Sequence, residues 1–189
     1  MRVVAAEYVS VDGRMQMEDP DGGDEARGGW TAQYWNEELS EMQREQLFAS
    51  DALLLGRVTY ESFAATWPTF TDEQGFAERM NSLPKYVASR SLEGPLEWNA
   101  TLMQGDAVEA VRKLKDEAGR DLLIYGSGQL VNALVGARLI DEYRLMVHPI
   151  ILGRGKRLFE DESAKAGLSL VDTQTTATGV ATLVLRQTE

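Results

Sequence analysis

Two stretches of the sequence place a glycine turn and small, hydroxyl or cationic residues directly after a short apolar run. The central one, Asp51–Glu61, reads DALLLGRVTYE: four apolar residues, Gly56, and then a predicted helix over residues 57–65. A strand that turns into a helix exposes free backbone N–H groups and the positive end of the helix dipole. Such a turn suits a phosphate group, and Arg57 and Thr59 add a cation and a hydroxyl. The alternative is a tight strand-to-helix connection without a ligand.

A similar turn follows the apolar run 121–125, with the sequence Gly126-Ser127-Gly128-Gln129. It resembles the start of a dinucleotide-binding fingerprint, but Val131 stands where the third glycine would be. The motif also comes late in the chain, which argues against the usual doubly wound dehydrogenase fold. Small residues at a helix start still let a pyrophosphate approach the backbone.

A third strand, predicted over residues 85–88, ends at Ser89-Arg90. The guanidinium group of arginine can grip a phosphate with two parallel hydrogen bonds, although a surface arginine is the simpler interpretation of this pair alone. The carboxyl ends of parallel strands meet at one edge of a sheet. Three such ends with anion-binding groups therefore favour one extended anionic ligand across that edge.

The composition is that of an ordinary globular protein and excludes several classes of function. The 189 residues are 43% hydrophobic and 26% charged, which predicts a single domain over residues 1–189. The net charge of −11 argues against nucleic acid and anionic membranes as partners. No apolar run approaches the ~20 residues of a membrane span, and the N-terminus does not resemble a signal peptide. We therefore expect a cytoplasmic protein.

Cysteine is absent and histidine occurs once, so the chain cannot build thiolate or histidine-cluster metal sites, and no metal site is predicted. The single histidine, His148, ends an apolar strand before Pro149, and we interpret it as structural. Five aromatic residues near predicted helix starts either line a pocket for a planar ligand or belong to the core: Trp30, Trp35, Tyr60, Phe63 and Trp67.

The order of predicted elements indicates an α/β fold. Strands and helices alternate from Val3 to the strand at residues 142–149, and only strands follow. This order implies a parallel sheet completed by antiparallel edge strands, with a C-terminal hairpin from Leu168 onwards. Asn36 and Asp106 are predicted N-caps of two helices. The polar, acidic segment 16–29 is predicted to be a loop that is either mobile or functional.

Taken together, the motifs resemble the dihydrofolate-reductase-like superfamily. More narrowly, they resemble the reductase domain at the C-terminus of the bifunctional riboflavin-biosynthesis deaminase–reductase, in a stand-alone form. The resemblance covers nearly the whole chain and implies a three-layer α/β/α fold with a central mixed, mostly parallel sheet and an antiparallel C-terminal hairpin. It rests on the segments SVDG (10–13), GRVTYE (56–61), SR (89–90), YGSG (125–128) and HPIILGRG (148–155).

The resemblance implies that NADPH lies across the carboxyl edge of the sheet. By this analogy Gly56, Arg57 and Thr59 contact phosphates, and Ser89 and Arg90 meet the adenosine 2′-phosphate. The turn formed by Gly126, Ser127, Gly128 and Gln129 cradles the pyrophosphate. Ser10 and Gly13 then lie beside the nicotinamide, together with Asp12, which is the candidate for the polar catalytic group.

The resemblance leaves the substrate open. Dihydrofolate reductases carry an acidic residue on the first helix that binds the pterin ring and assists its protonation. The first helix here carries four glutamates, of which Glu41 is our candidate together with the nearby Trp35. The four are Glu37, Glu38, Glu41 and Glu45.

The function predicted on this basis is hydride transfer from NADPH to a small ring substrate with a conjugated C=N or C=O bond, in a homodimeric enzyme. One alternative is a dinucleotide-binding module without turnover. A structural or interaction domain that binds no dinucleotide is the other.

Overall fold

A computed structural model of the chain describes residues 1–15, 29–160 and 164–188. Most of the predicted loop at residues 16–29 therefore lies outside the described residues. The described strands are β1 (Arg2–Ser10), β2 (Ser50–Gly56), β3 (Lys85–Ala88), β4 (Ala100–Leu102), β5 (Asp121–Tyr125), β6 (Glu142–His148), β7 (Leu168–Thr175) and β8 (Ala181–Gln187). The described α-helices are α1 (Glu37–Ala49), α2 (Arg57–Thr66), α3 (Phe76–Ser82), α4 (Ala107–Asp116) and α5 (Gly128–Gly136), with short 3₁₀ helices at Gly29–Tyr34 and Trp67–Thr69.

The eight strands form one mixed sheet in the order β4-β3-β2-β5-β1-β6-β8-β7. The first six strands of this order are parallel to one another. Strand β8 runs antiparallel to β6, and β7 runs antiparallel to β8. The predicted parallel sheet with an antiparallel C-terminal hairpin is thereby confirmed.

Helices cover both faces of the sheet. Helices α1, α2 and α3 pack on one face through residues such as Leu39, Tyr60 and Met80. Helices α4 and α5 pack on the other face, where Val111 and Leu134 are fully buried. Central strands such as β2 and β5 are therefore buried on both sides, which explains why their sequences are unbroken apolar runs rather than alternating ones. The predicted three-layer arrangement is confirmed.

Two of the predicted helix caps are also confirmed. The Asn36 side chain accepts a hydrogen bond from the Leu39 N–H at 2.9 Å, and the Asp106 carboxylate accepts one from the Glu109 N–H at 3.1 Å. Helix α3 begins at Phe76. The Asp72 carboxylate accepts hydrogen bonds from the backbone N–H groups of Gln74, Phe76 and Ala77, so it organises the turn before the helix.

The amino ends of the strands are held together by a buried ionic cluster. Glu142 is 2% exposed, and its carboxylate pairs with Arg144 of its own strand, Arg2 of β1 and Arg186 of β8 at 2.7–3.1 Å. Burial alone would raise the pKa of Glu142. Hydrogen bonds from Arg144 and Arg186 and the charge of Arg2 outweigh burial and hold the pKa below 4.5.

We expect Glu142→Gln to lower the free energy of unfolding by about 2 kcal/mol at neutral pH, because it leaves three arginines around a neutral group. The partial exposure of Arg2 and Arg186 keeps the loss below that of a fully buried pair. A carboxyl with a depressed folded-state pKa stabilises the protein above its unfolded pKa of 4.5 and loses this effect at lower pH. Urea unfolding at several pH values should therefore show the difference from wild type shrinking below pH 4.5.

The matched control is Glu109→Gln, which removes an exposed partner of Arg112 on α4 and should change stability little. Equal losses for the two variants, or a loss at Glu142 that does not depend on pH, would contradict the role of the cluster.

Candidate functional site

A cavity of about 1120 Å³ opens at the carboxyl edge of the sheet. Because the first six strands are parallel, β1, β2, β3 and β5 all end at this edge. Residues at or after the ends of these strands line the cavity, together with the first turns of α2 and α5. Of the residues predicted to bind the cofactor, the structure brings nine into the cavity wall: Gly56, Arg57, Thr59, Ser89, Arg90, Gly126, Ser127, Gly128 and Gln129.

The turns after β2 and β5 are hydrogen-bonded to each other. The backbone N–H of Ser127 donates to Thr59 Oγ1 at 3.0 Å, and the N–H of Gly56 donates to Ser127 Oγ at 2.9 Å. The Ser127 hydroxyl in turn donates to the Tyr125 carbonyl at 3.0 Å. These three bonds, which we call the turn lock, hold the starts of α2 and α5 side by side.

The glycines at the ends of β2 and β5, Gly56 and Gly126, differ in whether the fold itself requires glycine. Gly126 has φ +58°, and a Cβ atom there would lie 3.0 Å from Thr59 Oγ1, so both the backbone angle and the close contact require glycine. Gly56 has φ −79°, and its added Cβ would make only an ordinary contact, 3.6 Å from Ser127 Cβ. The protein fold therefore does not itself require glycine at position 56.

Helices α2 and α5 both begin in the cavity wall without a side-chain cap. The first-turn N–H groups of a helix have no partner within the helix, and they carry the positive end of its dipole. Arg57 and Val58 of α2, and Gly128 and Gln129 of α5, line the cavity. Two adjacent uncapped helix starts make this part of the cavity a site for an anion with more than one charged group.

Cationic side chains lie at the rim of the same cavity. Arg57 pairs with Glu61 at 2.8 Å, but both side chains are nearly half exposed, so this pair can exchange for a ligand. Arg90 is exposed and forms no ion pair with any residue that the structure describes. Lys156 and Arg157 complete the rim. A protein with a net charge of −11 thus gathers cations around one opening.

Part of the cavity lining is aromatic. Trp35, Phe63 and Trp67 belong to it, as does Tyr8 from β1. Trp35 is 50% exposed, so its ring is open to a ligand. A cavity that combines aromatic side chains with anion-binding groups suits a ligand with both a planar ring and phosphate groups.

Comparison with known proteins identifies the family. The family model of the RibD C-terminal domain matches residues 2–182, almost the whole chain. The chain belongs to the RibD C-terminal domain family. The chain is also 33% identical over 137 residues to the "Uncharacterized protein YyaP" of Bacillus subtilis (strain 168), covering 71% of this chain and 72% of the relative. The resemblance to the riboflavin-biosynthesis reductase domain is thus confirmed.

Solved structures show the same fold. A "Putative riboflavin biosynthesis protein" from Shewanella sp. PV-4 superposes with a TM-score of 0.77 at 19% identity, and the match covers 100% of both chains. A pyrimidine reductase-like protein from Corynebacterium diphtheriae superposes with a TM-score of 0.67 at 12% identity, covering 100% of this chain and 92% of that one. At these identities the structural likeness carries the fold alone.

Not every residue predicted from the family's motifs reaches the cavity wall of this member. Ser10, Asp12 and Gly13 are not among the described residues that line it. Asp12 instead accepts hydrogen bonds from the Ser10 hydroxyl at 2.7 Å and from the backbone N–H groups of Leu152 and Gly153 at 3.0 and 2.9 Å. These bonds, with the Leu152 N–H as the largest cause, hold the pKa of Asp12 well below its usual range. Its contacts are those of a loop anchor, and a catalytic role for Asp12 stays a prediction.

The glutamates of the first helix include the predicted substrate residue Glu41, whose role stays a prediction. Glu41 forms an ion pair with Arg44 and, like the other three α1 glutamates, is not among the described residues of the cavity wall. The α1 residue that does line the cavity is Gln43, whose amide donates to Met146 Sδ at 2.8 Å. Of the two residues predicted to contact the substrate, Trp35 lies in the cavity wall and Glu41 does not.

The aromatic residues divide between the cavity and the core. Trp30 and Tyr60 are buried elsewhere, and Trp30 packs edge-on against His148 with ring centroids 5.1 Å apart. His148 is fully buried in a cage that Tyr8 and Tyr34 complete, and burial lowers its pKa. The structural role predicted for this histidine fits these contacts.

The sequence analysis assigned no role to four charged residues of the cavity wall, which are Glu7, Lys156, Arg157 and Glu160. Glu7 lies in β1, lines the cavity and is 2% exposed. The sequence does distinguish Glu7, because it is the single acidic residue in the otherwise apolar run from Val3 to Val9. A buried carboxyl in a cleft, with its pKa raised by burial, is a candidate functional group.

We expect Thr59→Val to lower the free energy of unfolding by about 1 kcal/mol, because the Ser127 N–H loses its acceptor while the side chain keeps its shape. Urea unfolding measures this loss. The matched control on the same helix is Thr66→Val, whose exposed hydroxyl bonds only to the Ser62 carbonyl. If the two valine variants are equally stable, the turn lock contributes nothing to the fold.

Proposed function

We propose that this protein is an NADPH-dependent reductase that transfers hydride to a small ring substrate with a conjugated C=N or C=O bond, such as a pterin or a pyrimidine. The observation that carries the proposal is the pair of uncapped helix starts, α2 and α5, that face one cavity side by side. NADPH, when bound, supplies the hydride. The protein supplies the anion-binding groups, the orientation and the aromatic side chains.

The strand order supports one direction for the cofactor. Strands β3, β2, β5 and β1 are consecutive neighbours in the sheet, and each neighbour adds about 4.8 Å. The free Arg90 follows β3, the turn lock joins the ends of β2 and β5, and β1 lies beyond them. An extended dinucleotide therefore places its adenosine 2′-phosphate at β3, its pyrophosphate at the turn lock and its nicotinamide at β1.

The cavity also has room for a second ligand. Its volume of about 1120 Å³ lies slightly above the range of about 300–1000 Å³ that is typical of a site for one small molecule. The aromatic side chains of Trp35, Phe63 and Trp67 suit the planar ring of a substrate.

A solved structure with a similar fold is named for the reduction of such a ring substrate. It is a Thermotoga maritima deaminase/5-amino-6-(5-phosphoribosylamino)uracil reductase, with a TM-score of 0.66 at 14% identity over 99% of this chain and 56% of that one.

The structure describes no helix that is long and apolar enough to cross a membrane. The cytoplasmic location and the single-domain boundaries 1–189 stay predictions.

We predict that the protein binds NADPH about tenfold to a hundredfold more tightly than NADH. Only the 2′-phosphate distinguishes the two cofactors, and one charge-assisted hydrogen bond from Arg90 contributes roughly 1.5–3 kcal/mol. Isothermal titration calorimetry with both cofactors measures the ratio. Arg90→Ala should remove most of the preference and leave NADH affinity nearly unchanged. The matched control is Arg112→Ala, which removes an exposed arginine of α4 outside the cavity wall.

The same titrations, combined with turnover assays, decide between the proposal and its alternatives. The loss of NADPH absorbance is followed with dihydrofolate and with 5-amino-6-(5-phosphoribosylamino)uracil as probes. Consumption with either probe supports the reductase. Binding of NADPH without consumption indicates a dinucleotide-binding module, and no binding at millimolar NADPH rejects the cofactor. If Arg90→Ala weakens NADPH and NADH equally, the adenosine end does not lie at β3.

We also propose that two copies of the chain associate through β7. This strand is outermost in the sheet, and all eight of its residues are exposed. Leu168, Leu170 and Val171 leave 37%, 57% and 47% of their area in solvent. An unpaired edge with apolar side chains is a template for a second strand, and a two-fold axis would pair β7 with its copy.

We expect sedimentation velocity to give a species of twice the 21.0 kDa chain mass. Leu170→Lys should shift this species to the monomer, because it adds a charge to the unpaired apolar edge. Ile151→Lys, at a residue that is 75% exposed on a loop, is the control and should leave the mass unchanged. A wild-type monomer at tens of micromolar protein would contradict the association.

A further inference from the structure

Glu7 is the one buried carboxyl group among the described residues of the cavity wall. The other two carboxylates of the wall, Asp106 and Glu160, are exposed. Glu7 lies in β1 opposite Leu145 of β6 and one residue beyond Ala6, the last residue of β1 that pairs with β5. The β1 residues on its face of the sheet are apolar. Burying an ionised carboxylate in such a place is costly unless it is paired with a cation. No ion pair joins Glu7 to a described residue.

The two oxygens of Glu7 are in different situations. The backbone N–H of Gly126 hydrogen-bonds to the carboxyl group, which ties it to the turn at the start of α5. Oε1 is buried and has no hydrogen-bond partner among the described residues. Buried side-chain oxygens nearly always have a partner, so the unmet hydrogen bond of Oε1 beside the cavity points to a group that the described residues do not supply.

The surroundings of Glu7 favour its neutral form. Burial raises its pKa well above 4.5, and the Gly126 N–H, which acts in the opposite direction, does not cancel this effect. The neighbouring titratable group on β5 is Tyr125, and its own pKa is raised by burial and by Glu7. The charge of Arg144 in β6 acts to lower the pKa of Tyr125, and the first turn of α5 has no charged residue. A neutral carboxyl can accept from Gly126 with one oxygen and donate its proton with the other.

The position of Glu7 in the sheet indicates which part of a ligand it meets. Strand β1 is the neighbour of β5 on the side away from β2 and β3. With the 2′-phosphate at β3 and the pyrophosphate at the turn lock, the group that reaches β1 is the nicotinamide half. An ionised carboxylate beside the phosphates would repel the cofactor, and a neutral one does not.

We propose that Glu7 is a positioning residue for the cofactor: in its neutral form it donates a hydrogen bond from Oε1 to an oxygen atom of the nicotinamide half of the bound dinucleotide. This inference rests on the proposed function. It replaces the first-helix acid of dihydrofolate reductases with an acid on the first strand, which serves the cofactor.

The test compares two ligands by calorimetry between about pH 5 and about pH 9, a range that spans the pKa values of buried glutamates. NADP⁺ contains the nicotinamide half. Adenosine 2′,5′-bisphosphate lacks it but carries the same 2′-phosphate. Titration of a ligand's phosphates is the same for every protein, so it cancels when the pH profile of each protein is divided by that of Glu7→Gln. The variants are Glu7→Gln, whose amide keeps a donor and an acceptor, and Glu7→Leu, which keeps neither. Glu45→Gln, an exposed acid of α1, is the charge-matched control.

For the wild type and Glu45→Gln we expect NADP⁺ affinity to fall by about tenfold in total as the pH rises through the Glu7 pKa, because ionisation removes one hydrogen bond to the ligand. Glu7→Gln should bind NADP⁺ as tightly as the wild type does at low pH and should lack this pH dependence. Glu7→Leu should bind about tenfold more weakly at every pH. The affinity for adenosine 2′,5′-bisphosphate should be the same for all four proteins.

Other outcomes overturn the inference in distinguishable ways. If Glu7→Gln keeps the pH dependence of the wild type, another group titrates. If the Glu7 variants weaken the bisphosphate as much as NADP⁺, Glu7 acts on the adenosine half or through the fold. If the wild type binds neither ligand, the proposed function itself fails. If Glu7→Leu does not fold by circular dichroism, the pH profiles of the wild type and Glu7→Gln decide alone.

Discussion

The hydrogen bonds between the turns after β2 and β5 are the constraint on which the site depends. Thr59 accepts from the Ser127 N–H, and Ser127 accepts from the Gly56 N–H, so each turn supplies the partner that the other lacks. The lock brings two helix starts together without capping either of them. Side-chain caps would have satisfied these N–H groups internally and left less for an anion.

The lock also explains the different roles of residues that look alike in the sequence. The hydroxyl of Ser127 both accepts and donates within the protein, so it serves the fold. Thr59 Oγ1 accepts the Ser127 N–H, which leaves its own proton to be donated to a ligand. Gly126 is required because a Cβ atom would collide with Thr59, whereas glycine at position 56 matters only if a ligand approaches the backbone there.

Charge is distributed to fit the same site. The protein carries eleven excess negative charges, yet its cavity rim gathers Arg57, Arg90, Lys156 and Arg157. Salt screens the long-range repulsion beyond about 8 Å, so these short-range contacts dominate the binding of an anion. Glu7, the acid of the cavity wall that lies within the sheet, is buried, and burial raises its pKa. At the opposite edge of the sheet Glu142 stays ionised because three arginines surround it.

The sequence by itself determined the order of strands and helices, the parallel sheet with its antiparallel hairpin, the caps at Asn36 and Asp106 and the glycine turns after β2 and β5, because these depend on local apolar patterns and turn chemistry. It also indicated the family through its motifs. Only the tertiary structure decided that Asp12 anchors a loop, that Glu41 pairs with Arg44 while Gln43 lines the cavity, and that Glu7 is buried in the cavity wall. Which side of a helix faces a cavity, and whether a carboxyl is neutral, depend on packing between elements far apart in the chain, and no local pattern encodes that packing.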